Sequence, residues 1–201
     1  GAEDAWLEEA QIEAAKESVV TVSLGSEPCV AQALRKIDLS TEAMPFDSVA
    51  IRAQAIVECL QTDFKSFPAA QVTESSIERF SGWLAKSDRP KLFVYATEAV
   101  QDLGAVAGLV ASLGHRFGGF GGQVCLLVVV YGRPESRLYS IDGHFNVLVN
   151  FIPDYIHGVH GEGGAALCEP VRRSLDWVVG KPVQASVVKD FESLRALALE
   201  P

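Results

Sequence analysis

One cysteine, one histidine and one aspartate in this chain have types and spacing suited to covalent chemistry. Cys29 follows the β-branched run Val19-Val20-Thr21-Val22, which predicts a short buried strand, and the breaker Gly25-Ser26-Glu27-Pro28. A helix is predicted from about Cys29 to Ile37, with Val30, Leu34 and Ile37 on one face. Pro28 suits the first helical position, where its missing N–H is not needed. Cys29 then sits in the first turn, where unpaired backbone N–H groups and the helix dipole favour a thiolate. Such a nucleophile needs a base within hydrogen-bond reach and a third group to orient that base. Among the four histidines, His144 opens the predicted strand H-F-N-V-L-V-N-F-I, and Asp154 follows ten residues later. The arrangement expected is Cys29 as nucleophile, His144 as base and Asp154 as orienter. Asn146 and Asn150, on the same strand face as His144, are alternative orienters. The backbone N–H of Cys29, with Ser23 and Ser26, would line an oxyanion site. The plainer readings are a core thiol at Cys29 and an exposed hairpin-tip imidazole at His144.

Other segments must position these groups. Asp4 to Glu17 reads as an acidic amphipathic helix ahead of a single domain over residues 18–201. Helices are predicted over Val49–Leu60, after a cap at Thr73, over Val100–Leu113 with Gly114 as the stop, over Ala165–Val179 with a break near Pro170, and over Asp190–Leu199. Strands are predicted over Lys91–Thr97 and Gln123–Tyr131, the latter so continuously apolar that it belongs inside a sheet. Arg137–Asp142 and His144–Ile152 are two more, joined by the hairpin signal Asp142-Gly143. The alternation implies an α/β or α+β fold, a central sheet flanked by helices with Cys29 at a strand–turn–helix junction.

Composition narrows the function. A net charge of −9 argues against a protein that grips a phosphate backbone. No run of 18 apolar residues predicts a membrane span. The cysteines Cys29, Cys59, Cys125 and Cys168 form no C-x-x-C pair, which favours a reducing, cytoplasmic setting, while their even count leaves two disulfides open.

The stretch Ser23-Leu24-Gly25, Cys29, Leu34-Arg35 and Pro45-Phe46-Asp47 resembles the bacterial papain-like cysteine peptidase family, a domain of unknown function. Asp63-Phe64-Lys65-Ser66-Phe67, Arg79-Phe80 and Leu92-Phe93-Val94 fit the same family in order, so the resemblance covers roughly residues 18 to 97. It implies a hydrolase acting on an amide, ester or thioester of a peptide or small acyl substrate, without a cofactor. Papain-like folds share the chain order cysteine, histidine, then Asn or Asp. Family members carry a His-Asp pair between the P-F-D and Arg-Phe motifs, whereas this chain has no histidine between Asp47 and Arg79 and has Ser48 where tryptophan is usual. The resemblance therefore implies either a base supplied by His144 or a catalytically silent binding module on the same fold.

Three further motifs have readings of their own. Asp47 is expected to cap a helix at Ser48 or Val49, or to line the site. Asp154, His157, His160 and Glu162 fall within nine residues, spacing compatible with a metal loop as well as with a plain polar loop. Arg116 to Gly122, RFGGFGG, precedes a strand and lacks the G-K-[ST] of a phosphate loop, so it reads as a turn.

Overall fold

The computed structural model describes residues 10, 13–14, 17–25, 28–39, 42–67, 72–118, 123–154 and 163–200. Of the expected leading helix, residues 10, 13, 14 and 17 are helical, as is Ser18 after it, and the others lie outside the described residues. The chain is a single-domain α/β fold with a six-stranded sheet in the order β1-β2-β3-β5-β4-β6. The strands are β1 (Val20–Gly25), β2 (Lys91–Thr97), β3 (Val124–Val130), β4 (Arg137–Ile141), β5 (His144–Phe151) and β6 (Ser186–Val188). β1, β2, β3 and β5 run parallel; β4 runs against β5, and β6 follows β4. The parallel strands are buried on both faces, which is why VTVSLG, KLFVYAT and VCLLVVV are so apolar.

Two helical layers cover the sheet. On one face lie α1 (Pro28–Lys36) and α5 (Gly163–Val178), which pack on each other. Their core joins Val30, Leu34, Leu167 and Val171 to Leu92, Leu127 and Leu148 from the strands. On the other face lie α2 (Ala53–Gln61), α3 (Glu74–Glu78) with a π-helical extension Arg79–Leu84, a 3₁₀ segment Val100–Ala105, α4 (Val106–Phe117) and α6 (Phe191–Leu199). Six phenylalanines, Phe46, Phe64, Phe67, Phe80, Phe93 and Phe117, stack there, with Phe80 edge-on to Phe46 at 5.7 Å and to Phe117 at 5.0 Å. Such pairs add roughly 0.5–1.5 kcal/mol each beyond burial. The D-F-K-S-F and Arg-Phe pieces of the resemblance therefore supply core rings.

Several boundaries differ from expectation. α2 starts at Ala53 rather than Val49, because Val49 is buried by the turn that packs on Gly25 and not by a helical face. α4 runs past Gly114, since Leu113 and Phe117 on one face are both fully buried. α5 continues through Pro170, where the Ser174 hydroxyl lies against the Pro170 and Val171 carbonyls. β6 was not legible as a strand: it is three residues long, largely exposed, and paired among the described strands with β4 alone. Thr73 caps α3, accepting from Ser76 N–H, and Asp190 caps α6, accepting from Ser193 N–H at 2.7 Å. Asp63 and Phe64 hold left-handed backbone, φ 53° and 62°, a strain costing on the order of 1–3 kcal/mol per residue. Arg116 pins this turn by reaching the Leu60 carbonyl, Asp63 and the Ser81 hydroxyl, with its guanidinium over the Phe64 ring.

Candidate functional site

In open α/β sheets ligands bind outside the carboxyl ends of the parallel strands. Here those ends are Gly25, Thr97, Val130 and Phe151. The β1–α1 turn is built tightly. Gly25 sits at φ 77°, and a Cβ there would stand 2.6 Å from the Phe46 carbonyl oxygen and 2.8 Å from that of Val49, so only glycine fits. Ser23 Oγ, 1% exposed, accepts the Gly25 N–H at 3.1 Å. It is thus a support for the turn, and Ser26 lies outside the described residues. Cys29 falls in the first turn of α1 as expected, at the carboxyl edge, but is only 8% exposed and packs into the apolar layer beneath α1 and α5.

The expected Cys29–His144 pair is not assembled. The registers align Val22 with Phe93, Phe93 with Leu126 and Leu126 with Val147. His144, three residues before Val147, therefore lies at the amino edge, while Cys29 lies beyond the carboxyl end of β1. Three inter-strand spacings alone separate β1 from β5 by roughly 14 Å, before displacement along the strands is counted. The cause is strand direction: β1 and β5 are parallel, so a residue that opens one and a residue that follows the other stand at opposite edges. His144 packs instead against Phe191, ring centroids 5.0 Å apart. Asp154 shares the edge with Cys29, exposed, its backbone carbonyl accepting the Gly132 N–H at 3.0 Å. It is consequently parted from His144, the imidazole it was expected to orient.

The alternative orienters divide in the same way. Asn146 sits near the amino edge and donates Nδ2–H to the Val124 carbonyl at 3.3 Å. Asn150 is one residue from the carboxyl end of β5, 3% exposed; its Nδ2 donates to the Phe151 carbonyl at 3.0 Å and its Oδ1 has no hydrogen-bond partner among the described residues.

Asp47 caps no helix, since none begins at Ser48 or Val49. Its carboxylate accepts the Met44 N–H at 3.0 Å and Arg35 Nη2 at 2.8 Å, tying the L-R motif to P-F-D. Burial pushes its pKa above the ordinary carboxylate value, against the opposing pull of the Met44 N–H and the Arg35 charge. With Leu34 and Phe46 fully buried, this block of the resemblance is accounted for by packing.

Asp102 escaped the sequence reading. It is 5% exposed in the 3₁₀ segment, and it accepts from Tyr95 OH at 2.8 Å, Thr97 Oγ1 at 2.7 Å and Arg52 Nε at 2.8 Å. The carboxylate holds the Arg52 guanidinium charged and raises its pKa. The signal available was a pair of polar tips, Tyr95 and Thr97, in a strand whose other residues after Lys91 are apolar. This network lies at the carboxyl end of β2 on the face opposite Cys29.

His157 and His160 lie outside the described residues, and among the described residues no three His, Cys, Asp or Glu side chains gather as a metal site. Of RFGGFGG, Arg116 and Phe117 end α4, and residues 119–122 are outside the described set. Burial raises the Cys125 thiol to about 12 and also raises Cys59. No protein-family model, curated protein or solved structure matches the chain.

Proposed function

We propose that this chain is a ligand-binding α/β domain that takes a small molecule at the carboxyl edge of its sheet, over the β1–α1 turn, without covalent catalysis by Cys29. One observation carries the reading: the Cys29 side chain packs into the apolar layer under α1, and the histidine expected to activate it stands at the opposite sheet edge. The absence of a histidine between Asp47 and Arg79 supports the same reading. The setting proposed is reducing and cytoplasmic, a reading supported by cysteine spacing that offers no C-x-x-C pair. No helix among the described residues is long and apolar enough to cross a membrane.

The test is the pH dependence of Cys29 alkylation by iodoacetamide, with Cys29→Ala and His144→Ala as controls. Expected is labelling no faster than an ordinary thiol of pKa about 8.5, or none until the protein unfolds, and no change with His144→Ala. An apparent pKa well below that value would overturn the proposal. It would favour the second reading, a cysteine hydrolase or acyltransferase acting on an amide, ester or thioester. That reading draws on the position of Cys29 in the first turn of a helix starting at the ligand-binding edge, and it requires a base other than His144.

A further inference from the structure

The cleft between α2 and α4 has no part in the carboxyl-edge reading. Both helices start at that edge, where Arg52 ahead of α2 meets Asp102 ahead of α4, and the cleft lies at their far ends. It holds about 700 Å³, within the range of small-molecule sites. α4 lines it with Gly108, Ala111, Ser112 and His115, spaced i, i+3, i+4 and i+7 on one helix face, while Leu109, Val110, Leu113 and Phe117 turn to the core. Gly108 and Ala111 thus make a shelf with nothing larger than a methyl on it. Packing does not require that smallness, since a Cβ on Gly108 would meet only Val57 Cγ2, at 4.0 Å.

The polar groups around the shelf divide into committed and open ones. Arg116 is committed to the Leu60 carbonyl, the Ser81 hydroxyl and one oxygen of Asp63. The other Asp63 oxygen makes no hydrogen bond among the described residues, nor do the side chains of Gln61, Ser112 and His115. Elimination then selects the ligand. A phosphate or carboxylate would meet the Asp63 charge and no uncommitted guanidinium or ammonium. An organic cation would meet a carboxylate that Arg116 already neutralises. A divalent metal would find His115 and Asp63 but no third carboxylate, thiolate or imidazole. A sugar would find no Phe, Tyr or Trp ring in the lining to pack on. An alkyl chain would cover the open polar groups without partnering them. A neutral, flat, polar ring fits: its face on the shelf, an N–H on the open Asp63 oxygen, its acceptors toward Ser112, Gln61 and His115.

We propose that the α2–α4 cleft is a second binding site, one that takes a neutral planar heterocycle bearing an exocyclic amine, such as an amino-substituted nucleobase, with its ring on Gly108 and Ala111 and its amine on Asp63.

The experiment is an amide-resolved NMR titration with two pairs of nucleosides, adenosine against inosine and cytidine against uridine. Each pair exchanges an exocyclic amine for a carbonyl, and the two pairs separate a purine from a pyrimidine ligand. In the wild-type chain the amine member of at least one pair should bind about fivefold to tenfold more tightly, the worth of one hydrogen bond to a carboxylate. Its shifts should fall on amides of Gly108, Ala111, Ser112 and His115. Asp63→Asn keeps a residue type that tolerates left-handed backbone; with its oxygen on Arg116 it puts an amide N–H₂ where the open oxygen was, and the preference should reverse toward the carbonyl member. Ala111→Leu places a good helix former at an exposed position and fills the shelf, so it should weaken every nucleoside by about tenfold or more at an unchanged urea midpoint. That variant does not depend on the strained turn and decides the question alone if Asp63→Asn fails to fold. Equal affinity within both pairs, a preference that Asp63→Asn leaves in place, or binding that survives Ala111→Leu would overturn the inference. Titrations in which none of the four nucleosides moves a cleft amide would overturn it as well.

Discussion

Gly25→Ala tests whether the β1–α1 turn is a built structure or an ordinary connection. Two costs apply. Gly25 has φ 77°, and an L-residue pays roughly 1–2 kcal/mol to adopt left-handed backbone. The added methyl would also stand 2.6 Å and 2.8 Å from two backbone carbonyl oxygens, those of Phe46 and Val49. Real Cβ atoms do not approach so closely, so the segment 46–49 must shift by about half an ångström, and Phe46 is locked in the aromatic stack. Overpacking of this kind costs about 1–3 kcal/mol. The sum is about 2–5 kcal/mol, a large share of the ~5–15 kcal/mol stability of a domain. Gly143→Ala provides the control. Gly143 has nearly the same φ, 76°, but nothing lies within 4 Å of the added carbon, so only the backbone cost of about 1–2 kcal/mol applies. The assay is urea unfolding of both variants beside the wild type, followed by circular dichroism and read as the change in midpoint at constant slope. Equal losses in the two variants would refute the crowding argument, and with it the claim that the 46–49 segment fixes the turn carrying Cys29.

Other outcomes follow from the same geometry. Asp102→Ala removes the carboxylate that accepts from the Tyr95 and Thr97 hydroxyls, leaving Tyr95 OH the Ile51 carbonyl at 3.3 Å, and should destabilise by about 2–3 kcal/mol, while Arg52→Ala should cost less because that side chain is 62% exposed; urea midpoints check both. Lys91 is buried with its ammonium on the Ser87 and Arg89 carbonyls, and burial lowers its pKa below the unfolded value. Between the lowered folded pKa and the unfolded pKa the unfolded chain binds more protons, so stability should rise with pH there, and Lys91→Met should flatten that rise in pH-dependent denaturation. Cys125, raised to about 12, and Cys59, also raised by burial, should not react with a thiol reagent at pH 8 until denaturant is added; native-state reactivity at Cys125 would contradict the core position of β3.

What could be read from the chain was local and periodic. The continuous apolar runs of β2 and β3 announced strands covered on both faces, Asp142-Gly143 announced the hairpin, and Thr73 and Asp190 announced helix starts, because each signal acts within a few residues of itself. The position of Cys29 in the first turn of a helix after β1 was legible for the same reason. The rest depended on segments far apart in sequence. Val49 and Gly114 carried helical signals that packing overrode, and β6 carried almost none because a partner strand alone makes it a strand. The burial of Asp102 arises from donors 5 to 50 residues away. Above all, sequence order set Cys29 ahead of His144 and Asp154, but which edge of the sheet each reaches is settled by strand direction. Periodicity is the same for a strand run up or down, so only the packed sheet, with β5 parallel to β1, could part His144 from Cys29 and bring Asn150 to the carboxyl edge.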